Sequence, residues 1–283
     1  MTVPPPVADW CRAGGFGEIV EVEPHGGGCI HASYRLRTEG GTLFLKVNNA
    51  VPHDMFPREA EGLAALAVED GPRLPRPHLW GETFLLLEDL PPAAPRAAYW
   101  EQLGRRLAAL HDHTADRYGF ESDNYIGLTP QPNPWTQDGF AFFGQHRLRF
   151  QAHRALEAGL LQPDDAAAVE KLASQLEQLV PPQPASLVHG DLWSGNVIAG
   201  PEGEACLIDP ACHYGWAEAE LGMTELFGGF PERFYRAYVE AHPLTPGWEA
   251  RLPIYNLYHL LNHLNLFGSG YLGSVRSTLR KFT

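Results

Sequence analysis

Between residues 189 and 209 the chain sets three oxygen-bearing side chains around a short hairpin, a pattern that few folds can accommodate. In His189-Gly190-Asp191-Leu192-Trp193-Ser194-Gly195-Asn196, Asp191 and Asn196 are separated by four residues. Val197-Ile198-Ala199 and Ala205-Cys206-Leu207-Ile208 read as short strands, and Gly200-Pro201-Glu202-Gly203 between them is a turn. The return strand delivers Asp209 beside the loop it left. Phosphoryl transfer needs this combination: a carboxylate to orient and deprotonate an attacking hydroxyl, and oxygen ligands for a cation that neutralises phosphate charge. The spacing matches the kinase template, with Asp191 as base and Asn196 and Asp209 as ligands for Mg²⁺.

Phosphate also needs a cation from the protein. The first third of the chain is strand-rich, at residues 33–37, 42–47 and 83–87, with a helix expected over residues 56–68. Lys46 shares a strand face with Phe44, whereas Leu43, Leu45 and Val47 take the other. Glu59 lies on the apolar helix face with Leu63 and Leu66, where a carboxylate is costly unless a cation meets it. Lys46 and Glu59 are therefore the expected pair, and Glu61 is the rival on the far side of the helix. Gly26-Gly27-Gly28 precedes these strands, and successive glycines let main-chain N–H groups approach phosphate closely. No GxxxxGK[ST] is present, which excludes a Walker-type loop.

Beyond about residue 91 leucine periodicity dominates: 100–110, 169–179 and 254–267 read as helices. The expected fold class is α+β and two-lobed. A small β-rich N-terminal lobe (residues 1–90) binds nucleotide, and a larger α-helical lobe (residues 91–283) carries catalysis and substrate binding. The formal charge of −13 argues against nucleic-acid or anionic-membrane partners. No apolar run suits a membrane span, and Met1-Thr2-Val3-Pro4-Pro5-Pro6 has no secretory pattern, so the expected location is cytoplasmic. Four cysteines without a CxxC pair read as reduced thiols.

From about Gly26 to Phe267 the sequence resembles the fructosamine kinase (ketosamine-3-kinase) family, with the protein-kinase-like fold of aminoglycoside phosphotransferases. The resemblance rests on the whole His189–Asn196 string, on Ile208-Asp209-Pro210-Ala211 and on Leu226-Phe227-Gly228-Gly229-Phe230. It also rests on Asn124-Tyr125-Ile126-Gly127, Pro130-Gln131-Pro132-Asn133-Pro134-Trp135, and Phe142-Phe143 before Arg147-Leu148. It implies ATP-dependent phosphorylation of the 3-hydroxyl of a ketosamine, with Glu88-Asp89-Leu90 as the hinge contacting adenine through main-chain groups. Two positions depart from the pattern: Glu220 stands where the resemblance leads one to expect Asp bracing the catalytic loop, and Phe140 where it leads one to expect Trp. Rival readings are a phosphotransferase acting on an aminoglycoside, choline or a sugar, and a catalytically silent nucleotide-binding regulator.

Among Trp135, Trp193, Trp216, Phe227, Phe230 and Tyr271, Trp216 is the first choice for a sugar-stacking wall because it follows the metal hairpin. Gln131, Asn133 and Arg147 are candidate substrate contacts. His111, His113, His259 and His263 read as structural. Cys29, next to the glycine loop, is a candidate redox switch: its oxidation would obstruct ATP, and the expected state is a monomer or a Cys29-linked dimer.

Overall fold

The computed structural model describes residues 2–26 and 30–283. Helix α1 (Pro5–Ala13) opens on prolines, which cost nothing where the first-turn N–H groups have no helical acceptor. Strands β1 (Ile19–His25), β2 (Ala32–Thr38) and β3 (Gly41–Val47) follow, then α2 (Met55–Leu66), β4 (Pro77–Gly81) and β5 (Phe84–Glu88). The five strands form one antiparallel sheet in the order β1-β2-β3-β5-β4.

Strand alternation sorts this sheet. Leu36, Leu43, Leu45, Phe84 and Leu86 close against Val7 and Cys11 of α1. Phe44 and Lys46 face the opposite way, onto a cleft. On that side α2 buries Phe56, Ala60, Leu63 and Leu66 against Leu85 and Leu87, in a core continuous with the large lobe. Each such leucine contributes about 1.5–3 kcal/mol.

The large lobe begins with α3 (Tyr99–His111), β6 (Thr114–Ala115) and the hairpin of β7 (Asn124–Ile126) and β8 (Thr129–Gln131). Next come α4 (Gly139–Phe143), a π-turn over Gly144–Arg149, α5 (Phe150–Glu157), α6 (Pro163–Ser174) and α7 (Leu176–Leu179). The periodicity over residues 169–179 implied one helix; the chain breaks it at Gln175, between α6 and α7. Then follow β9 (Ala185–Val188), a 3-10 turn at Ser194–Asn196, and the hairpin β10 (Val197–Ala199) with β11 (Ala205–Leu207). The chain ends with β12 (His213–Gly215), α8 (Ala217–Leu226), α9 (Glu232–Ala241), α10 (Trp248–Phe267) and α11 (Leu272–Phe282). Buried Leu257, Leu260, Leu261 and Leu264 make α10 the spine of this lobe. The connection between lobes lies on the β10–β11 hairpin, where Ala93 N and Arg96 N donate to Gly200 O and Gly203 O at 3.3 and 2.9 Å. Among the described residues no helix is long and apolar enough to cross a membrane.

Candidate active site

Strand β9, wholly buried and paired on both sides by β12 and β6, ends at Val188 and releases the loop that carries Asp191. Gly190 turns there with φ +84°; a Cβ at this position would lie 2.1 Å from the Ala211 carbonyl oxygen, so only glycine fits. Glu220 of α8 holds the loop's main chain. Its Oε2 accepts from His189 N at 2.9 Å, and its Oε1 from Gly190 N at 2.6 Å. His111 Nε2 lies 2.9 Å from the same Oε2, and its Nδ1 lies 2.7 Å from the Tyr238 hydroxyl. His189 Nε2 donates to Ile208 O at 2.9 Å, and Ala211 N donates to His189 O at 2.8 Å. These bonds tie the loop to the end of the hairpin. The longer acid at position 220 performs the bracing expected of Asp.

Asn196 Nδ2 donates to the Asp191 main-chain oxygen at 2.7 Å and to its Oδ2 at 3.1 Å. Half-buried Asp191 has its pKa pushed up to about 7, by burial first and then by Asp209 and Glu220, against the opposing bond from Asn196. Asp209 sits at φ +57°, an uncommon backbone conformation for a non-glycine residue, at the end of the hairpin. Lys46 crosses from β3 to meet both acids: Nζ lies 2.6 Å from Glu59 Oε1 and contacts Asp209 Oδ1. Burial alone would lower the Lys46 pKa, but Asp209 and Glu59 outweigh it and hold it above its ordinary value. Burial likewise opposes ionisation of Asp209, yet Lys46 keeps its carboxyl below the ordinary range. Glu61, the rival partner, instead binds Arg58 at 2.8 Å.

These groups line a cleft of about 450 Å³ between the lobes. Gly26, Lys46 and Glu59 line it from the small lobe, Glu88, Asp89 and Leu90 from the hinge, and Asp191, Asn196 and Asp209 from the large lobe. The Glu88 side chain pairs with Arg73, and the Glu88 main-chain N–H donates to Arg76 O at 2.9 Å. Asp89 Oδ2 lies 2.8 Å from Arg35 Nε, a cleft residue that the sequence reading did not single out. Gly27, Gly28 and Cys29 lie outside the described residues.

Four candidate substrate contacts are placed elsewhere. Trp216 is 3% exposed and packs among Tyr118, Phe140, Phe143 and Tyr255. Gln131 and Asn133 are equally enclosed: Gln131 Nε2 donates to Asn124 Oδ1 and to Ala211 O at 2.8 and 2.9 Å, and Asn133 Nδ2 donates to Asn124 Oδ1 at 3.0 Å. Arg147 donates to Asn133 Oδ1 at 2.6 Å and to Pro132 O at 2.7 Å, with its guanidinium 4.5 Å from the Phe142 ring centroid. Burial lowers its pKa to about 10, so it remains cationic. Gln131, Asn133 and Arg147 bond to Asn124, to one another and to main-chain oxygens, and they do not line the cleft. Of the six aromatic candidates for a sugar-stacking wall, Trp193 lines the cleft, as do His263 and Phe267 from α10. Leu192, the neighbour of Trp193, is fully buried, and Trp193 turns the other way, into the cleft. Among the described residues no group of three or more His, Cys, Asp or Glu is arranged to hold a metal.

Two lobes about a cleft, with a small-lobe lysine opposite two acids and an asparagine, define a phosphotransferase of the kinase-like class. Distant solved structures share this fold: a choline kinase from Streptococcus pneumoniae has TM-score 0.64 at 14% identity, covering 98% of this chain and 97% of that one. An aminoglycoside phosphotransferase has TM-score 0.61 at 16% identity, covering 97% and 98%. A sequence model of the fructosamine kinase family matches residues 11–283, and the chain belongs to that family. A Synechocystis protein named "probable ketoamine kinase" is 44% identical over 90% of this chain and 88% of its own. The chloroplastic protein-ribulosamine 3-kinase of Arabidopsis thaliana is 38% identical over 97% and 86%. The crystal structure of a candidate fructosamine-3-kinase from Thermobifida fusca superposes with TM-score 0.88 at 35% identity, covering 97% of each chain.

Proposed function

We propose that this kinase transfers the γ-phosphoryl group of ATP to the 3-hydroxyl of a ketosamine, the adduct of a sugar with an amine, as a step in deglycation. The names of the Arabidopsis and Synechocystis relatives support that acceptor. The observation that carries the reading is the convergence of Asp191 with Lys46, Asn196 and Asp209 on one cleft. Residues 1–90 serve as the nucleotide lobe: main-chain groups at Glu88, Asp89 and Leu90 meet adenine, and the loop beginning at Gly26 meets phosphate. Residues 91–283 carry the acceptor and the base.

Lys46, kept cationic by Glu59, grips phosphate oxygens. Asp191 orients the acceptor hydroxyl and takes its proton; a pKa of about 7 suits a base working near neutral pH. Asn196 and Asp209 would hold Mg²⁺, which when bound neutralises phosphate charge. The residues fit that ion: the Asn196 amide nitrogen is turned to Asp191, which leaves Oδ1 for a metal, and Asp209 is an ionised carboxylate. Two protein oxygens are the usual share when phosphates and water supply the rest. We assign the protein to the cytoplasm, which suits the buried, unpaired thiols Cys11, Cys206 and Cys212.

The test is mass spectrometry of products after incubation with Mg-ATP and a panel of ketosamines, aminoglycosides and amino alcohols. A 3-phosphoketosamine is the expected product. Asp191→Asn should lower kcat by about 10²–10⁴-fold and leave nucleotide binding intact. Phosphorylation of an amino alcohol or antibiotic in preference to every ketosamine would overturn the assignment.

A further inference from the structure

The acceptor side of the cleft is built unlike the phosphate side. Trp193, two residues from Asp191, lines it together with His263 and Phe267, and Phe227 packs behind, against Trp193 and His263. Ring centroids lie 6.1 Å apart for Trp193–Phe227, 4.6 Å for Phe227–His263 and 5.4 Å for His263–Phe267. Trp193 and Phe267 are 36% and 60% exposed, so two large apolar side chains stand open to solvent at the mouth of one site. Geometry fixes the tautomer of His263. Its Nδ1 lies 2.8 Å from the His259 carbonyl oxygen, which can only accept, so Nδ1 carries the hydrogen and Nε2 presents a lone pair. Nε2 has no hydrogen-bond partner among the described residues, and burial among the rings lowers the pKa and favours the neutral form. The lysine and arginines lining the cleft, Lys46, Arg35 and Arg58, all belong to the small lobe, and each lies against a carboxylate. The aromatic wall contributes no cation. Aromatic faces around a neutral acceptor suit a ligand that carries positive charge and an N–H donor.

We infer that this wall is a subsite for the substrate's secondary ammonium group, with His263 Nε2 accepting its N–H. The rings of Trp193 and Phe267 cover the carbons on either side of the charged nitrogen, and Phe227 backs Trp193 and His263. The inference rests on the ketosamine reading, in which the nitrogen sits on C1, four bonds from the oxygen that is phosphorylated. A base on one side and an ammonium receptor on the other fix which hydroxyl faces Asp191. The wall therefore selects amine adducts over free sugars by charge, not by sugar shape.

The experiment uses the full chain with Mg-ATP, near neutral pH, and two acceptors that differ at one atom: a 1-alkylamino-1-deoxyketose and the same ketose bearing a 1-O-alkyl group. ADP release gives kcat/KM for each. The wild-type protein should prefer the amine by about tenfold, mostly through KM, the size expected of a cation held by aromatic faces. Phe267→Leu keeps apolar bulk but removes a ring face, and His263→Phe removes the acceptor; each should draw the amine-to-ether ratio toward unity. Phe267 is exposed at the end of its helix, so that variant reports even if a more buried one unfolds. A wild-type ratio near one, or variants that lose activity equally on both acceptors, overturns the ammonium subsite and leaves the kinase assignment standing. Phosphorylation of neither acceptor, with ATP bound, overturns the ketosamine reading and this inference with it.

Discussion

Replacing Glu220 by glutamine changes one atom and no volume, yet it should disable the catalytic loop. The carboxylate is buried and accepts three hydrogen bonds, two of them on Oε2 (His189 N and His111 Nε2) and one on Oε1 (Gly190 N). Glutamine offers one acceptor oxygen and one NH₂. The oxygen will turn to the side where two donors converge, which sets the NH₂ against the Gly190 N–H, donor to donor. An orphaned buried N–H costs about 1–3 kcal/mol, and loss of charge assistance in the two surviving bonds adds about 1 kcal/mol. The expected destabilisation is about 2–4 kcal/mol, read from urea unfolding midpoints. Gly190 adjoins the proposed base, so kcat should fall about 10–100-fold with ATP affinity unchanged. Acid supplies a second check. Burial alone would raise the Glu220 pKa, but His111, His189 and the Gly190 N–H outweigh it and hold it below its ordinary value. A depressed carboxylate stabilises the fold above its unfolded pKa of about 4.3 and loses that contribution as pH falls through the folded value. The stability gap between wild type and Glu220→Gln should therefore close in acid. A gap under about 0.5 kcal/mol at neutral pH, or one that widens on acidification, would refute the brace.

Gly190→Ala should lower stability by about 3 kcal/mol or more, because its Cβ meets the Ala211 carbonyl at 2.1 Å and its φ is +84°; thermal melting within a degree or two of wild type would contradict that geometry. Lys46→Met strands Glu59 and Asp209 and should cost about 3–5 kcal/mol. Adding Glu59→Gln should return part of that stability without restoring ATP affinity, and a double-mutant cycle with no coupling would sink the ion pair. His259 is buried, with burial lowering its pKa to about 3. Below its unfolded pKa of about 6.5 the unfolded chain binds a proton that the folded chain refuses, so stability falls by up to about 1.4 kcal/mol per pH unit. His259→Gln should flatten urea-unfolding stability between about pH 7 and about pH 5; an unchanged slope would show that this histidine does not set the acid sensitivity.

The parts of this molecule that were legible in the sequence share a physical cause. Strands β2 and β3 and helix α2 declare themselves because one face is more apolar than the other, and the period follows the backbone; β5 declares itself as an unbroken apolar run, Phe84-Leu85-Leu86-Leu87, buried on both faces. Strand β9 was not read: Ala-Ser-Leu-Val is buried throughout and too short to show a period. Strand β1 sits at the sheet edge with most side chains in water, so its valines carried little weight against its charges. Helix α1 was hidden by its opening prolines, which a helix accommodates best in its first turn.

The same division runs through the site. Asp191, Asn196 and Asp209 could be placed together because a loop and a tight hairpin fix their separation with little help from the rest of the fold. Lys46 and Glu59 are 13 positions apart but each sits on an apolar face, and buried charge of one sign demands the other. Gln131, Asn133 and Arg147 offered no such demand. A polar side chain that serves a neighbour's amide and one that serves a ligand look alike in sequence, and only the chain's path decides between them. Trp193 and Trp216 differ in the same way: one leaves the loop beside a buried leucine and points outward, whereas the other caps the start of α8 and is enclosed by four aromatic rings. Catalytic groups in this fold are thus encoded by local spacing and by charge that must be compensated. Which aromatic side chain faces the cleft is set by which side of a packed loop is buried, and that becomes visible only with the path of the chain.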